Sequence, residues 1–183
     1  LRMITIGETK NFLQAAGTLH WGLMMLVFSI SHIAYLLVLP ATDSFQAGGV
    51  GLVLFLVFLT QFNDVSQFIW GKLLGKRKII PKVSPNKTWA GFIGGVITTT
   101  VLAVVLSGFL TPLSFEMAVI AGLIISIGGF IGDVTISAVK RDIGVKDTGS
   151  LLPGHGGILD RIDSLTASVP VMTLMLICLD WVV

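Results

Sequence analysis

Charge and cysteine are both scarce in this chain, and each scarcity excludes something. Only 12% of its 183 residues are charged and 54% are hydrophobic, against about 25% charged in a soluble domain. With a mean hydropathy of +0.92, that balance excludes an ordinary soluble fold and indicates an integral membrane protein. A net charge of +2 is too small to argue for a nucleic-acid partner, and no basic arm or nucleic-acid motif appears. The single cysteine, Cys178, lies inside an apolar run. One thiol cannot form an internal disulfide, and packing accounts for it better than redox chemistry. The sequence shows no Cys/His zinc spacing and no readable Ser-His-Asp arrangement. It has no internal repeat, low-complexity tract, soluble linker or recognisable signal peptide.

What is present is a series of apolar runs separated by polar ones. Spanning helices are expected at about 20–39, 46–62, 89–110, 115–132 and 164–183, each near the length that crosses a bilayer. Trp21 opens the first and Pro40 closes it. Gly48, Gly49 and Gly51 in the second, and Gly91, Gly94 and Gly95 in the third, permit close helix contact. Thr111-Pro112 makes a tight turn, Pro170 is expected to kink the fifth span, and Trp181 to anchor it at an interface. His32 sits inside the first span, where helix packing is its simpler role. Residues 1–18 read as an interfacial or short helical segment. The expected fold is all-α: one domain over 1–183, a polytopic transmembrane bundle of about five helices, with two polar loops forming one site.

Charge supplies the topology. All 12 Lys and Arg fall in residues 1–18, 64–88 and 133–163. Five spans place those segments on one side and leave Asp43, Glu116 and Asp180 on the other. The positive-inside rule assigns the basic side to the cytoplasm.

Residues 133–163 are the densest polar run. Asp133, Lys140, Arg141, Asp142, Lys146, Asp147, His155, Asp160, Arg161 and Asp163 alternate carboxylates with cations. Carboxylates hold hard cations such as Mg²⁺, and Lys and Arg hold phosphate oxygens. Gly149, Gly154, Gly156 and Gly157 let backbone N–H groups approach an anion. If the fourth helix continues past Gly132, Asp133, Ser137, Lys140 and Arg141 share one face. Asp163 or Ser164 can equally serve as an N-cap. A second cluster comprises Asn63-Asp64 and Ser84-Pro85-Asn86-Lys87-Thr88-Trp89-Ala90-Gly91. It suits a phosphate at a helix N-terminus, but an N-cap plus topology-setting lysines explains it as well.

Ser137-Ala-Val-Lys140-Arg141, Lys146-Asp147-Thr-Gly149 and Pro153-Gly-His155-Gly156-Gly157-Ile-Leu-Asp160-Arg161-Ile-Asp163 together resemble the signature of the phosphatidate cytidylyltransferases, or CDP-diacylglycerol synthases. The second cluster resembles the same family at Asp64, Gly71-Lys72, Ser84, Pro85, Lys87, Thr88, Trp89 and Gly91. It departs at Asn86, where a Lys is usual, at Ala90, where a Glu is usual, and in Asp64-Val-Ser-Gln, where Asp-Thr-Gly-Ala is common.

The resemblance implies membrane-embedded nucleotidyl transfer for phospholipid biosynthesis: CTP and phosphatidate give CDP-diacylglycerol and pyrophosphate. It implies Mg²⁺ or a similar divalent cation, with a second cation as an option, held by Asp133 and Asp160. Lys140, Arg141 and Arg161 become phosphate clamps. Asp64, Ser84, Lys87 and Thr88 form the nucleotide side, and Ser137, Lys146, Asp147, His155, Gly156, Gly157 and Asp163 complete substrate binding. For His155, phosphate or nucleotide binding is favoured over proton transfer, because a phosphate monoester is already a good nucleophile. The resemblance also implies further membrane helices ahead of the matching region, a bacterial inner-membrane location and no nucleic-acid partner, and it leaves room for a homodimer. Two other classes compete: a CTP-dependent lipid kinase of the polyprenol type, and a divergent noncatalytic membrane partner.

Overall fold

Helix caps divide the apolar sequence into its elements. The computed structural model describes residues 10–39, 47–149 and 157–178. Among these, five helices are long and apolar enough to cross a membrane: α1 Phe12–Leu37, α2 Gly48–Leu74, α3 Trp89–Leu110, α4 Phe115–Asp142 and α5 Leu159–Cys178. Thr88 caps α3, its Oγ1 accepting from the Gly91 N–H at 3.1 Å, and Ser114 caps α4 through the Met117 N–H. Both are preferred N-cap residues. The end of α4 is closed by Gly144 at φ 75°. Val145 N–H there bonds the Lys140 carbonyl and Gly144 N–H the Arg141 carbonyl, the left-handed glycine stop of many helices. Within α1, Leu23–Phe28 is π-helical, and Ser29 Oγ donates to the Met24 carbonyl five residues back.

The helices differ from the expected spans at their ends. α1 begins at Phe12 rather than near His20. α2 continues past Phe62 to Leu74, and α4 past Gly132 to Asp142. At about 1.5 Å per residue, the 28 residues of α4 extend about 42 Å, against roughly 30 Å of hydrocarbon. The extra turns carry polar side chains beyond the apolar layer. The loop expected over 64–88 is thus helical as far as Leu74. α5 starts at Leu159, with a turn at Asp163 and Ser164. Residues 179–183, with Asp180 and Trp181, lie outside the described residues, as does Asp43.

α2 packs on α3 and α4, α4 on α5, and α5 on α1. The core comes from α2 (Leu52, Phe55, Leu56, Leu59), α4 (Ala118, Ala121, Ile125) and α5 (Val169, Met172, Leu176). α3 exposes Ile93, Ile97, Val101, Val105 and Phe109, four residues apart along one face, as a lipid-facing helix does. The Gly49 N–H bonds the Leu39 carbonyl, which joins the end of α1 to the start of α2. At the opposite end Gly91 of α3 meets α2: a Cβ there would lie 2.6 Å from the Gln67 carbonyl oxygen and 3.1 Å from Gly71 Cα. The C-terminal ends of α2 and α4 and the N-terminal ends of α3 and α5 therefore converge.

Candidate functional site

The connection 75–88 folds back as a short antiparallel pair. Ile79 N–H bonds the Lys87 carbonyl and Trp89 N–H the Arg77 carbonyl. This fixes Lys87 over the bundle end, 5.6 Å from the centre of the Phe130 ring. Its Nζ lies 2.6 Å from Asp133 Oδ2 and donates to Gln67 Oε1 at 3.0 Å. The two polar clusters of the sequence thus meet in one ion pair. Thr88 is buried and engaged as a cap. Ser84 is half-buried, with its N–H on the Ile80 carbonyl.

α4 supplies one wall. Ser137 Oγ donates to Asp133 Oδ1 at 3.2 Å, as the shared helix face requires. Lys140 is buried and its Nζ donates to Asp160 Oδ1 at 2.9 Å. Arg141 is exposed and reaches the Val83 carbonyl through Nε and the Val145 carbonyl through Nη1, which ties both connections together.

Asp160 organises the connection between α4 and α5. Its Oδ2 accepts from Thr148 N–H at 2.9 Å, Thr148 Oγ1 at 3.0 Å and Gly157 N–H at 2.8 Å. Those contacts join the two flanks of the segment containing His155 and Gly156, which lie outside the described residues. Lys146 and Asp147 are exposed beside it. Asp163 accepts from the Ser164 N–H, and Ser164 Oγ donates to Asp64 Oδ2 at 2.7 Å. Gly132 permits this meeting of α4 and α5, since a Cβ on it would stand 2.6 Å from the Asp163 carbonyl oxygen.

A pocket of about 280 Å³ opens here, lined by Gln61, Asp64, Val65, Phe68, Asp160, Arg161 and Asp163. Arg161 is exposed at its edge, while Val65 and Phe68 present apolar surface. Asp64, Asp133 and Asp163 are close enough to repel one another, and Asp64 Oδ1 is buried without a hydrogen-bond partner among the described residues. Carboxylates interleaved with Lys87, Lys140, Arg141 and Arg161 can receive a polyanion together with a cation.

Several polar residues take roles that the sequence alone did not assign. Asn63, read in the sequence as part of the second polar cluster, is fully buried. Its Nδ2 donates to the Ser126 carbonyl at 3.1 Å, and its Oδ1 accepts from Thr99 Oγ1 at 3.2 Å. Thr60 meets Ser168, and Gln67 holds Lys87. Thr60, Asn63, Asp64 and Gln67 stand at helical spacing, and that periodicity was the available signal.

A model described as "Cytidylyltransferase family" matches residues 3–179. An Escherichia coli (strain K12) protein described as "Uncharacterized protein YnbB" is 53% identical over 168 residues, 92% of this chain and 56% of that protein. A phosphatidate cytidylyltransferase of Haemophilus influenzae is 45% identical over 130 residues, 67% of this chain and 44% of that protein. One of Staphylococcus haemolyticus is 40% identical over 133 residues, 72% of this chain and 51% of that protein. The chain spans about half the length of these curated relatives. With a family match running nearly end to end over a helical membrane bundle, the chain belongs to the cytidylyltransferase family.

Proposed function

We propose that this bundle is a membrane-embedded catalytic domain that transfers a cytidylyl group from CTP to phosphatidate, forming CDP-diacylglycerol and pyrophosphate. The observation that carries the reading is the Lys87–Asp133 pair at 2.6 Å, which joins the two polar motifs at one end of the bundle. A phosphatidate oxygen attacks the α-phosphorus of CTP; the new P–O bond forms as the bond to the pyrophosphate oxygen breaks. The protein's task is to hold two polyanions in line and to offset their repulsion.

The donor set fits a hard divalent cation. Asp133 and Asp160 are each already pressed against an ammonium nitrogen, which stands where a cation's charge is wanted, and Asp64 Oδ1 is buried without a partner among the described residues. Asp133 and Asp160 Oδ1 would hold an ion of the Mg²⁺ type. Among the described residues no three His, Cys, Asp or Glu side chains are arranged to hold a metal alone. Mg²⁺ commonly takes one or two carboxylates and completes its shell with substrate phosphate and water. Bound there, such an ion supplies charge neutralisation at the leaving pyrophosphate. Lys87 and Lys140 then move from carboxylate to phosphate oxygens, Arg141 and Arg161 clamp phosphate at the rim, and Asp64, Ser84 and Thr88 border the nucleotide. Ser137 orients Asp133. Lys146, Asp147, Gly157 and Asp163 are assigned to substrate binding, as are His155 and Gly156, which lie outside the described residues. The segregation of Lys and Arg supports a site facing the cytoplasm, and the bacterial relatives support an inner-membrane location.

The test uses the chain in detergent micelles with phosphatidate, CTP labelled at the α- or γ-phosphorus, and Mg²⁺ titrated. The α-label is expected in the lipid and the γ-label in pyrophosphate, with turnover rising as Mg²⁺ is added. A γ-label in the lipid makes the protein a kinase. No label in the lipid at any metal concentration ends the catalytic reading.

A further inference from the structure

Gln67 is a polar residue of α2 whose bonding among the described residues is left half complete, as is that of Asp64 one turn earlier. Thr60 and Asn63 on the same face are served: Thr60 bonds the Leu56 carbonyl and meets Ser168, and Asn63 uses both ends of its amide. Gln67 is 5% exposed and its Oε1 accepts from Lys87 Nζ at 3.0 Å. A lysine ammonium can only donate, so this contact decides which end of the amide faces Lys87. Nε2 is thereby left as a donor, and it is buried with no hydrogen-bond partner among the described residues. Leaving such a group unpaired is unfavourable, and each such group in a native fold calls for an explanation.

Packing holds this side chain in place. A Cβ on Gly95 would collide with Gln67 Cγ, and Gly91 receives the Gln67 carbonyl. α3 therefore closes on Gln67 through glycines, and the amide is fixed beside Lys87, which is itself paired with Asp133. A donor, an ammonium and a carboxylate are gathered at one point. Two donors held side by side suit a polyphosphate, whose oxygens accept.

We propose that Gln67 positions the nucleotide, an inference that rests on the cytidylyl-transfer reading above. Oε1 keeps the Lys87 ammonium in place when that ammonium leaves Asp133 for phosphate, and Nε2 donates to a phosphate oxygen of CTP. Gln67→Glu keeps an acceptor for Lys87, removes the donor and places negative charge beside the polyphosphate. Gln67→Met keeps similar bulk and removes both functions.

The experiment measures the CTP dissociation constant by titration calorimetry in detergent, and kcat and KM for each substrate. Both variants are expected to raise the dissociation constant and KM for CTP roughly tenfold or more, a loss of about 1.4 kcal/mol, with Gln67→Glu the more severe. KM for phosphatidate should move less than about twofold, since the interaction removed belongs to CTP. Gly95→Ala, which presses on Gln67 from α3, should weaken CTP binding in the parent but add nothing to Gln67→Met. CTP affinity at the parent value in either Gln67 variant overturns the proposal. So does a lower melting temperature with unchanged affinity in the folded fraction, the signature of a purely structural role. If the parent binds CTP through Gln67 but transfers no cytidylyl group, the functional reading fails and this inference stands. If it transfers the group and the Gln67 variants bind CTP normally, the inference alone fails.

Discussion

Replacing Asp160 with Asn tests whether one carboxylate serves both the chemistry and the closure of the α4–α5 connection. In the parent, Oδ1 takes the Lys140 ammonium at 2.9 Å and Oδ2 takes two N–H groups and a hydroxyl. An Asn side chain carries one acceptor oxygen and one NH₂ donor. Either orientation points the NH₂ at donors, at Lys140 in one case and at Thr148 and Gly157 in the other. The two charged side chains are 10% and 6% exposed, so little water relieves the loss. Breaking a buried pair from one side costs about 3–5 kcal/mol. Since about 1.4 kcal/mol is tenfold in an equilibrium, local opening of the connection should become roughly a hundred- to several-thousand-fold more populated. Hydrogen exchange reads this directly: the Thr148 and Gly157 amides should lose protection, while the amides of α2 and α3 keep theirs. Turnover should be abolished in the same variant. Adding Lys140→Met should restore part of the protection, because the stranded ammonium is gone, but not turnover. Parent-like exchange at both amides in Asp160→Asn would refute the reasoning.

Three further outcomes follow from the geometry. Gly91→Ala places a Cβ 2.6 Å from the Gln67 backbone oxygen, so chemical or thermal unfolding should show a loss of about 1–3 kcal/mol from overpacking at the α2–α3 crossing; no loss would mean the helices do not cross there. Arg141→Lys removes the planar fork proposed above to clamp phosphate, so KM for a phosphate substrate should rise several-fold; the contacts to the Val83 and Val145 carbonyls are exposed, so melting should change little. In a Cys178→Ala background, Lys82→Cys should react with an impermeant thiol reagent from the cytoplasmic side and Glu116→Cys from the other; labelling from the same side removes the five-helix topology.

Much of the fold was legible because the bilayer imposes a coarse rule. Apolar runs such as 89–110 and 115–132 must be helical to satisfy their backbone groups in lipid, and Thr88 and Ser114 announce the starts of α3 and α4. The helix ends past Phe62 and Gly132 were harder to read. Asn63, Asp64 and Gln67 look like the first residues of a loop when only hydropathy is considered. They are helical because their partners, Ser126, Thr99, Ser164 and Lys87, arrive from α3, α4 and α5 and from the connection before α3. Those partners lie too far along the chain for local pattern to reveal.

The same limit governs the site. Residue types in 133–163 disclosed carboxylates and cations on one face of α4, but not which meets which. Asp133 and Lys140 share that face, about 10 Å apart along the axis, yet they do not pair with each other. Each takes its partner from another part of the chain. Asp133 takes Lys87 from the connection before α3, and Lys140 takes Asp160 from the start of α5. The crossed pairing depends on the relative heights of α3, α4 and α5, which glycine contacts such as Gly132 against Asp163 determine. Gln67 follows from the same heights, because it matters only once Lys87 is lowered onto α2. Chemistry was readable from composition and motif; the partners of each charge were set by helix register, and that register resides in small residues whose role shows only when the helices are packed.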